Sequence, residues 1–392
     1  MDNPPKTTAN INERLYYIDW IRVLAFAILI LVHAGIPFVP FGLPMIQNNE
    51  TSEVLSLVIY FLHDFRLEVL FLVSGVGTYF AMRKLSSAGF IAERCKRLIL
   101  PTVFACFTLM PLMIYFEKMH VGDFSGGFFE FFPEFFTNGA YPRGNFSWGQ
   151  MWFVVYLFCF VLIAQPLFRY FQSEKGINFL TVIQNKLCNG NNIYLMIIPF
   201  FLLEISLRPH FPGARDLIHD WASFSQWLLY FIVGYIFVSA PRLFTLVETL
   251  RHRCLLVALV FSALVMFLRT LPDLGYIESQ INRDSLFMSF ILVAKTWCWV
   301  LTILGFAKRY LQRNSTILQY CNEAVYPIFI LHFTVSVALS YWIVQCSADI
   351  GVWTKFGIVS LWTFVIIMAT YHFVIRPFSL MRLLFGLKVL SK

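Results

Sequence analysis

The chain has 392 residues and a formal net charge of +8, with 58% apolar and 13% charged residues. A soluble domain carries about 25% charge, so this composition excludes an ordinary water-soluble enzyme and predicts an all-α polytopic membrane protein. The positive balance is read as a topology signal rather than a nucleic-acid surface, because the bases fall in alternate loops.

Apolar runs of the ~17–25 residues that cross a bilayer predict ten spans. They lie at about 16–36, 54–82, 98–116, 150–172, 192–208, 221–239, 254–271, 286–307, 323–345 and 354–375. They read as one domain over 1–392, with 1–15 as a cytoplasmic leader and 117–149 as a long periplasmic loop. The first span is too long for a signal h-region, and its exit, Gly35-Ile36-Pro37-Phe38, carries no small-residue cleavage pattern. It is expected to stay as a helix.

One set of loops, with both termini, holds twenty Lys and Arg, from Lys6 to Lys392. The alternate loops hold seven: Lys118, Arg143, Arg208, Arg215, Arg269, Arg283 and Lys355. This asymmetry predicts both termini in the cytoplasm and an even number of spans. Acids such as Glu117, Asp216, Asp220, Asp273, Glu278 and Asp284 fall in the outer loops. The outer run from Phe128 to Phe136 reads as an amphipathic piece in the headgroup layer, with a lid as the sharper alternative. The eight cysteines form no CxxC or metal-ligand spacing, and only Cys346 falls near an outer loop, so neither a metal nor a disulfide framework is expected.

The chemistry-bearing residues are the polar side chains inside apolar spans, where an unpaired charge costs about 2.5–3.5 kcal/mol or more. In the first span, Asp19 precedes Arg22 by three positions, a helical pairing distance. His33 follows Arg22 by eleven, which is close to three turns, or about 16 Å along the same face. The second span carries His63, Asp64, Arg66 and Glu68, then Ser74-Gly75. Treated as one helix, His63, Arg66 and Ser74 share a side while Asp64 and Glu68 lie more than a quarter-turn away. Either protein surrounds this helix or its start is irregular.

Before the third span come Arg94, Lys96 and Arg97, read as topology-setting charge or as a phosphate clamp. Glu204, Lys295, His332 and His372 lie in or near later spans; packing or hydrogen bonding is the first reading for each, and His332 is the best functional candidate among them. No P-loop, dinucleotide fingerprint, HExxH or GxSxG is present.

The ordered set Ile18-Asp19-Trp20-Ile21-Arg22 with His33, Phe71-Leu72-Val73-Ser74-Gly75, Arg94 and Arg97 with Pro101, and Tyr326 to His332 resembles the acyltransferase-3 family of membrane O-acyltransferases. His63 and Arg66 before Ser-Gly, and the loop from Arg208 to Gly213, look most like the osmoregulated periplasmic glucan succinyltransferase branch. Val76, Asp64 and Glu68 depart from it. The resemblance implies a cytoplasmic acyl-CoA donor, succinyl-CoA or acetyl-CoA, and a periplasmic glycan hydroxyl as acceptor, in the bacterial inner membrane. It implies no metal and no nucleic-acid partner. Arg22, Arg94, Arg97 and Ser74 would hold the donor. His33 or His63 would act as general base, with Arg66 at the oxyanion and Asp64 orienting a histidine; Asp19, Glu68 and His332 are further candidates. The alternative is a secondary transporter with a buried His/Asp/Arg proton relay.

Overall fold

A computed structural model describes residues 14–40, 45–213, 215–269, 285–346 and 350–390. Most of the expected leader, Lys6, Asp273, Glu278, Arg283, Asp284 and Lys392 lie outside the described residues, as do the side chains of Arg269 and Cys346.

Fifteen α-helices are described. They are α1 (Tyr16–Gly35), α2 (Glu53–His63), α3 (Arg66–Met82), α4 (Ser87–Arg94), α5 (Leu100–Val121), α6 (Phe128–Thr137), α7 (Trp152–Phe171) and α8 (Glu174–Leu187). They continue as α9 (Ile197–Leu207), α10 (Trp221–Ser239), α11 (Arg242–Arg269), α12 (Leu286–Tyr310), α13 (Thr316–Cys346), α14 (Val352–Thr370) and α15 (Ser379–Leu384). The described residues contain no strand beyond one isolated bridge, Ala140 to Phe146. The protein is an all-α polytopic membrane protein.

Eight helices are long and apolar enough to cross a membrane, and nine if the pair α8–α9, bent by 116°, counts as one span. The expectation of ten needs correcting at the second span, which is two helices rather than one. It breaks at Asp64-Phe65, where Phe65 has φ −132° and ψ −6°. Four ionisable groups within six positions cannot face one neighbour on a continuous helix, and the break lets them part. The freed backbone is met by protein: the Asp64 carbonyl accepts from Thr296 Oγ1 at 3.4 Å, as lipid-depth irregularity requires.

Two π-helical turns share one cause. Cys95–Ile99 and Tyr371–Ile375 are each followed, two residues later, by a proline, Pro101 and Pro377. Proline has no N–H for the i−4 carbonyl and its ring crowds that carbonyl; a widened turn accommodates this. The first of these turns presents the Arg94/Arg97 region.

α3 packs on α10, α1 on α13, α11 on α12, and α13 on both α5 and α14. The α3–α10 crossing is a backbone contact. A Cβ on Gly75 would collide with the Phe231 carbonyl oxygen, and one on Gly234 with the Leu72 carbonyl oxygen. Gly75 of the Ser-Gly motif is thus a packing residue. Between α5 and α7, the Phe-rich run forms α6 with Phe131 and Phe135 buried and Phe129 exposed, an amphipathic helix as expected.

Candidate functional site

The C-terminal end of α1 and the middle of α13 meet at two histidines. His33 Nδ1 lies 2.7 Å from His332 Nε2, and the rings stack with centroids 4.8 Å apart. His332 is fully buried, and its Nδ1 lies 2.6 Å from the Phe329 carbonyl oxygen. A carbonyl only accepts, so His332 Nδ1 must carry hydrogen and donate. In neutral His332 the Nε2 is then an acceptor, which requires His33 Nδ1 to donate. This assigns the tautomers from the network: neutral His33 keeps a lone pair on Nε2. The sequence singled out both histidines but gave no sign that they form one pair.

Arginines surround this pair. Arg66 opens α3 and is 3% exposed, with Nε and Nη1 buried and without hydrogen-bond partners among the described residues. Arg66, Arg215 and His63 all lie within electrostatic reach of His33, and Arg66 and Arg215 within reach of each other. Arg215 was read from the sequence only as a loop base. The loop after α9 brings it in. Its backbone N–H donates to Asp220 Oδ2 at 3.3 Å, and Tyr156 OH donates to the same oxygen at 2.9 Å. Asp220 is 1% exposed, so this is a fixed anchor. The guanidinium then sits 5.2 Å from the Trp152 ring centroid. Burial lowers the Arg215 pKa from its ordinary value, with Asp220 and Tyr156 acting in the opposite sense.

Of the acids of the second span, Asp64 is drawn to a partner on another helix, while Glu68 stays within electrostatic reach of Arg66. Asp64 forms an ion pair with Lys295 of α12. Glu68 Oε1 accepts from Trp227 Nε1 of α10 at 3.2 Å. Sequence reasoning gave Lys295 only packing or hydrogen bonding and gave Asp64 the orienting of a histidine; the structure pairs the two with each other. The Lys295 side chain is 1% exposed and Asp64 27%. Asp64→Ala therefore takes one carboxylate away from a buried ammonium. A loss of about 3 kcal/mol is expected, the low end for breaking a buried pair, because the pair is open on the Asp64 side. Asp64→Ala/Lys295→Met should recover most of it, as measured by thermal unfolding in detergent; equal loss in both would refute the ion-pair reading.

Three cations towards the N-terminal part of α1 form a second centre. Arg22, Arg94 and Arg97 lie within mutual electrostatic reach. Arg22 Nη1 donates to Asn322 Oδ1 at 3.1 Å and lies 3.5 Å from Asp19 Oδ1, so the expected Asp19–Arg22 pair is present. Arg14 also holds Asp19, at 2.8 Å. Arg97 Nη1 donates to Glu93 at 3.1 Å and Nε to the Gly386 carbonyl at 3.3 Å. Arg94 pairs with Glu93 at 3.4 Å and lies over Phe90. The buried hydroxyl of Tyr326, on α13 beside Arg97, has no partner among the described residues. Ser74 Oγ donates within its own helix to Leu70 O at 2.7 Å.

A small space adjoins His33, lined by Met45, Phe333, Ser336 and Ser340 among others, with about 10 Å³ for water. That is room for about one water molecule. No group of three or more metal-ligating side chains occurs among the described residues.

Neither a curated protein nor a solved structure matches the chain. The family model described as an acyltransferase domain matches residues 15–372, a stretch that contains both polar centres. The same stretch holds every motif from the first span to the His332 segment, and the chain belongs to the acyltransferase-3 family of membrane acyltransferases.

Proposed function

We propose that the protein transfers an acyl group from cytoplasmic acyl-CoA to a hydroxyl of a periplasmic or cell-envelope glycan. The observation that carries this is the hydrogen-bonded chain Phe329 carbonyl, His332, His33, which leaves Nε2 of His33 as the base. The attacking hydroxyl gives its proton to His33 Nε2 while its oxygen bonds to the thioester carbon. The C–S bond then breaks, and the proton passes from His33 to the departing thiolate. His332 accepts from the His33 Nδ1–H throughout and fixes the ring. Arg66, with two buried nitrogens lacking partners, stabilises the oxyanion.

The basic asymmetry supports both termini in the cytoplasm of a bacterial inner membrane. That orientation puts Arg22, Arg94 and Arg97 at the inner face, where they would hold the CoA phosphates, and His33 towards the outside. The space at His33 admits little more than a hydroxyl, so the acceptor enters as Met45 and Phe333 shift.

An acid-bearing acyl group, succinyl rather than acetyl, fits this centre. Arg66 and Arg215 both lie within electrostatic reach of His33, while Asp64 is held by Lys295 and Glu68, within reach of Arg66, accepts from Trp227. Arg215 is the group that would meet the distal carboxylate. Purified protein given a glycan acceptor is expected to consume succinyl-CoA faster than acetyl-CoA. Arg215→Gln should raise KM for succinyl-CoA about tenfold or more, from the ~1.5–3 kcal/mol of a charged hydrogen bond, with acetyl-CoA unaffected. No thioester consumption with either donor would favour a transporter instead; equal losses for both donors would remove the carboxylate role.

A further inference from the structure

A much larger cavity, about 1200 Å³, lies at the end of α3 opposite Arg66. It is a half-open hollow bounded by the ends of α3, α7 and α10, the start of α11, and α8. Four cations line it: Arg83, Lys84, Arg169 and Arg242. No Asp or Glu does. None of the four has a carboxylate partner among the described residues, in contrast to Arg22, Arg94 and Arg97, which are matched to Asp19 and Glu93. Arg169 is tied structurally, donating to the Met82 and Leu85 carbonyls at 3.2 and 2.9 Å, yet its Nε is buried without a partner among the described residues.

Four like charges converging on one space repel one another, and the arrangement is relieved by a bound anion. The anion must be large, multiply charged and able to accept many hydrogen bonds, since amide and hydroxyl donors such as Gln184, Asn185 and Thr181 complete the wall. A phosphate ester meets those terms. The cavity also lies beside an apolar surface. α8 is turned 116° from α9 and exposes Ile177, Phe179 and Val182, and Ile177 itself lines the cavity. Basic hollows at such a position suit anionic headgroups.

We propose that this cavity binds a phosphate-bearing ligand, supplied as the headgroup of an anionic phospholipid or as a free phosphate ester. Its lining includes none of Arg22, Arg94 and Arg97, and the proposal does not depend on the acyl-transfer reading.

The test uses the full chain in detergent. Native mass spectrometry would follow retention of phosphatidylglycerol against phosphatidylcholine, and titration calorimetry would follow fructose 1,6-bisphosphate, a phosphate ester that lacks the nucleotide of the acyl-CoA donor. The variant is Arg83→Gln/Lys84→Gln/Arg242→Gln, three exposed side chains; Arg169 is left intact because it holds two carbonyls. Each basic residue near a phosphate surface contributes about fivefold, so the triple variant should lose on the order of a hundredfold in affinity. Loss confined to phosphatidylglycerol identifies a lipid site, and loss confined to the bisphosphate identifies a soluble ligand; either supports the proposal. Absence of binding to the wild-type chain, or binding equal in the variant, overturns it. A circular dichroism melt matching wild type confirms that the variant is folded.

Discussion

His33→Ala is expected to lower kcat for acyl transfer by about 10²–10⁴, the usual contribution of a positioned general base. Expression and elution in detergent should be unchanged, because the side chain is only half-buried and adjoins a small space already present. His332→Ala should do less: the base survives, but its tautomer and ring orientation are no longer fixed. Its loss should fall mainly on kcat, with KM for the donor unaltered, since His332 lies far along α13 from the inner cations. The order His33 before His332 follows from the direction of the hydrogen bonds. A His332 variant more damaged than the His33 variant would mean that the buried histidine, not His33, handles the proton. Full activity in His33→Ala would remove the mechanism.

Gly75→Ala is expected to destabilise the protein by about 3 kcal/mol or more, at the upper range for overpacking. The added methyl meets the Phe231 carbonyl, with the Tyr235 backbone nitrogen 3.1 Å away. Those are backbone atoms of α10, so no side chain can swing aside; the helices must separate. Gly234→Ala should match it, because its Cβ meets the Leu72 carbonyl on the facing helix. The separation would also displace Arg66 and Glu68 at the start of α3, so activity should fall with stability. Unchanged thermal unfolding of both variants would show the crossing to be looser than described.

The helical, membrane-spanning character was legible because span length and polarity are one-dimensional properties: a bilayer of fixed thickness demands an apolar run of fixed length. The same local reading found Asp19 beside Arg22 and marked His33, His63, Asp64, Arg66, Glu68 and His332 as costly enough to need an explanation. It also offered an irregular start to the second span as one of two alternatives, the other being a helix surrounded by protein, since angular spacing alone shows that four charges cannot share one face. Gly75 was read as part of a motif and proved to be a packing residue, because a close helix crossing depends on the second helix.

Partnership was decided in three dimensions. His332 is 299 positions from His33 and Lys295 is 231 from Asp64, separations at which sequence periodicity carries no information. Arg215 looked like a loop base until Asp220 and Tyr156 folded its loop over Trp152. The sequence by itself determined which side chains could not be left alone in an apolar medium. The tertiary structure decided what satisfies each of them, because burial, tautomer and charge pairing are properties of neighbours brought together by helix packing.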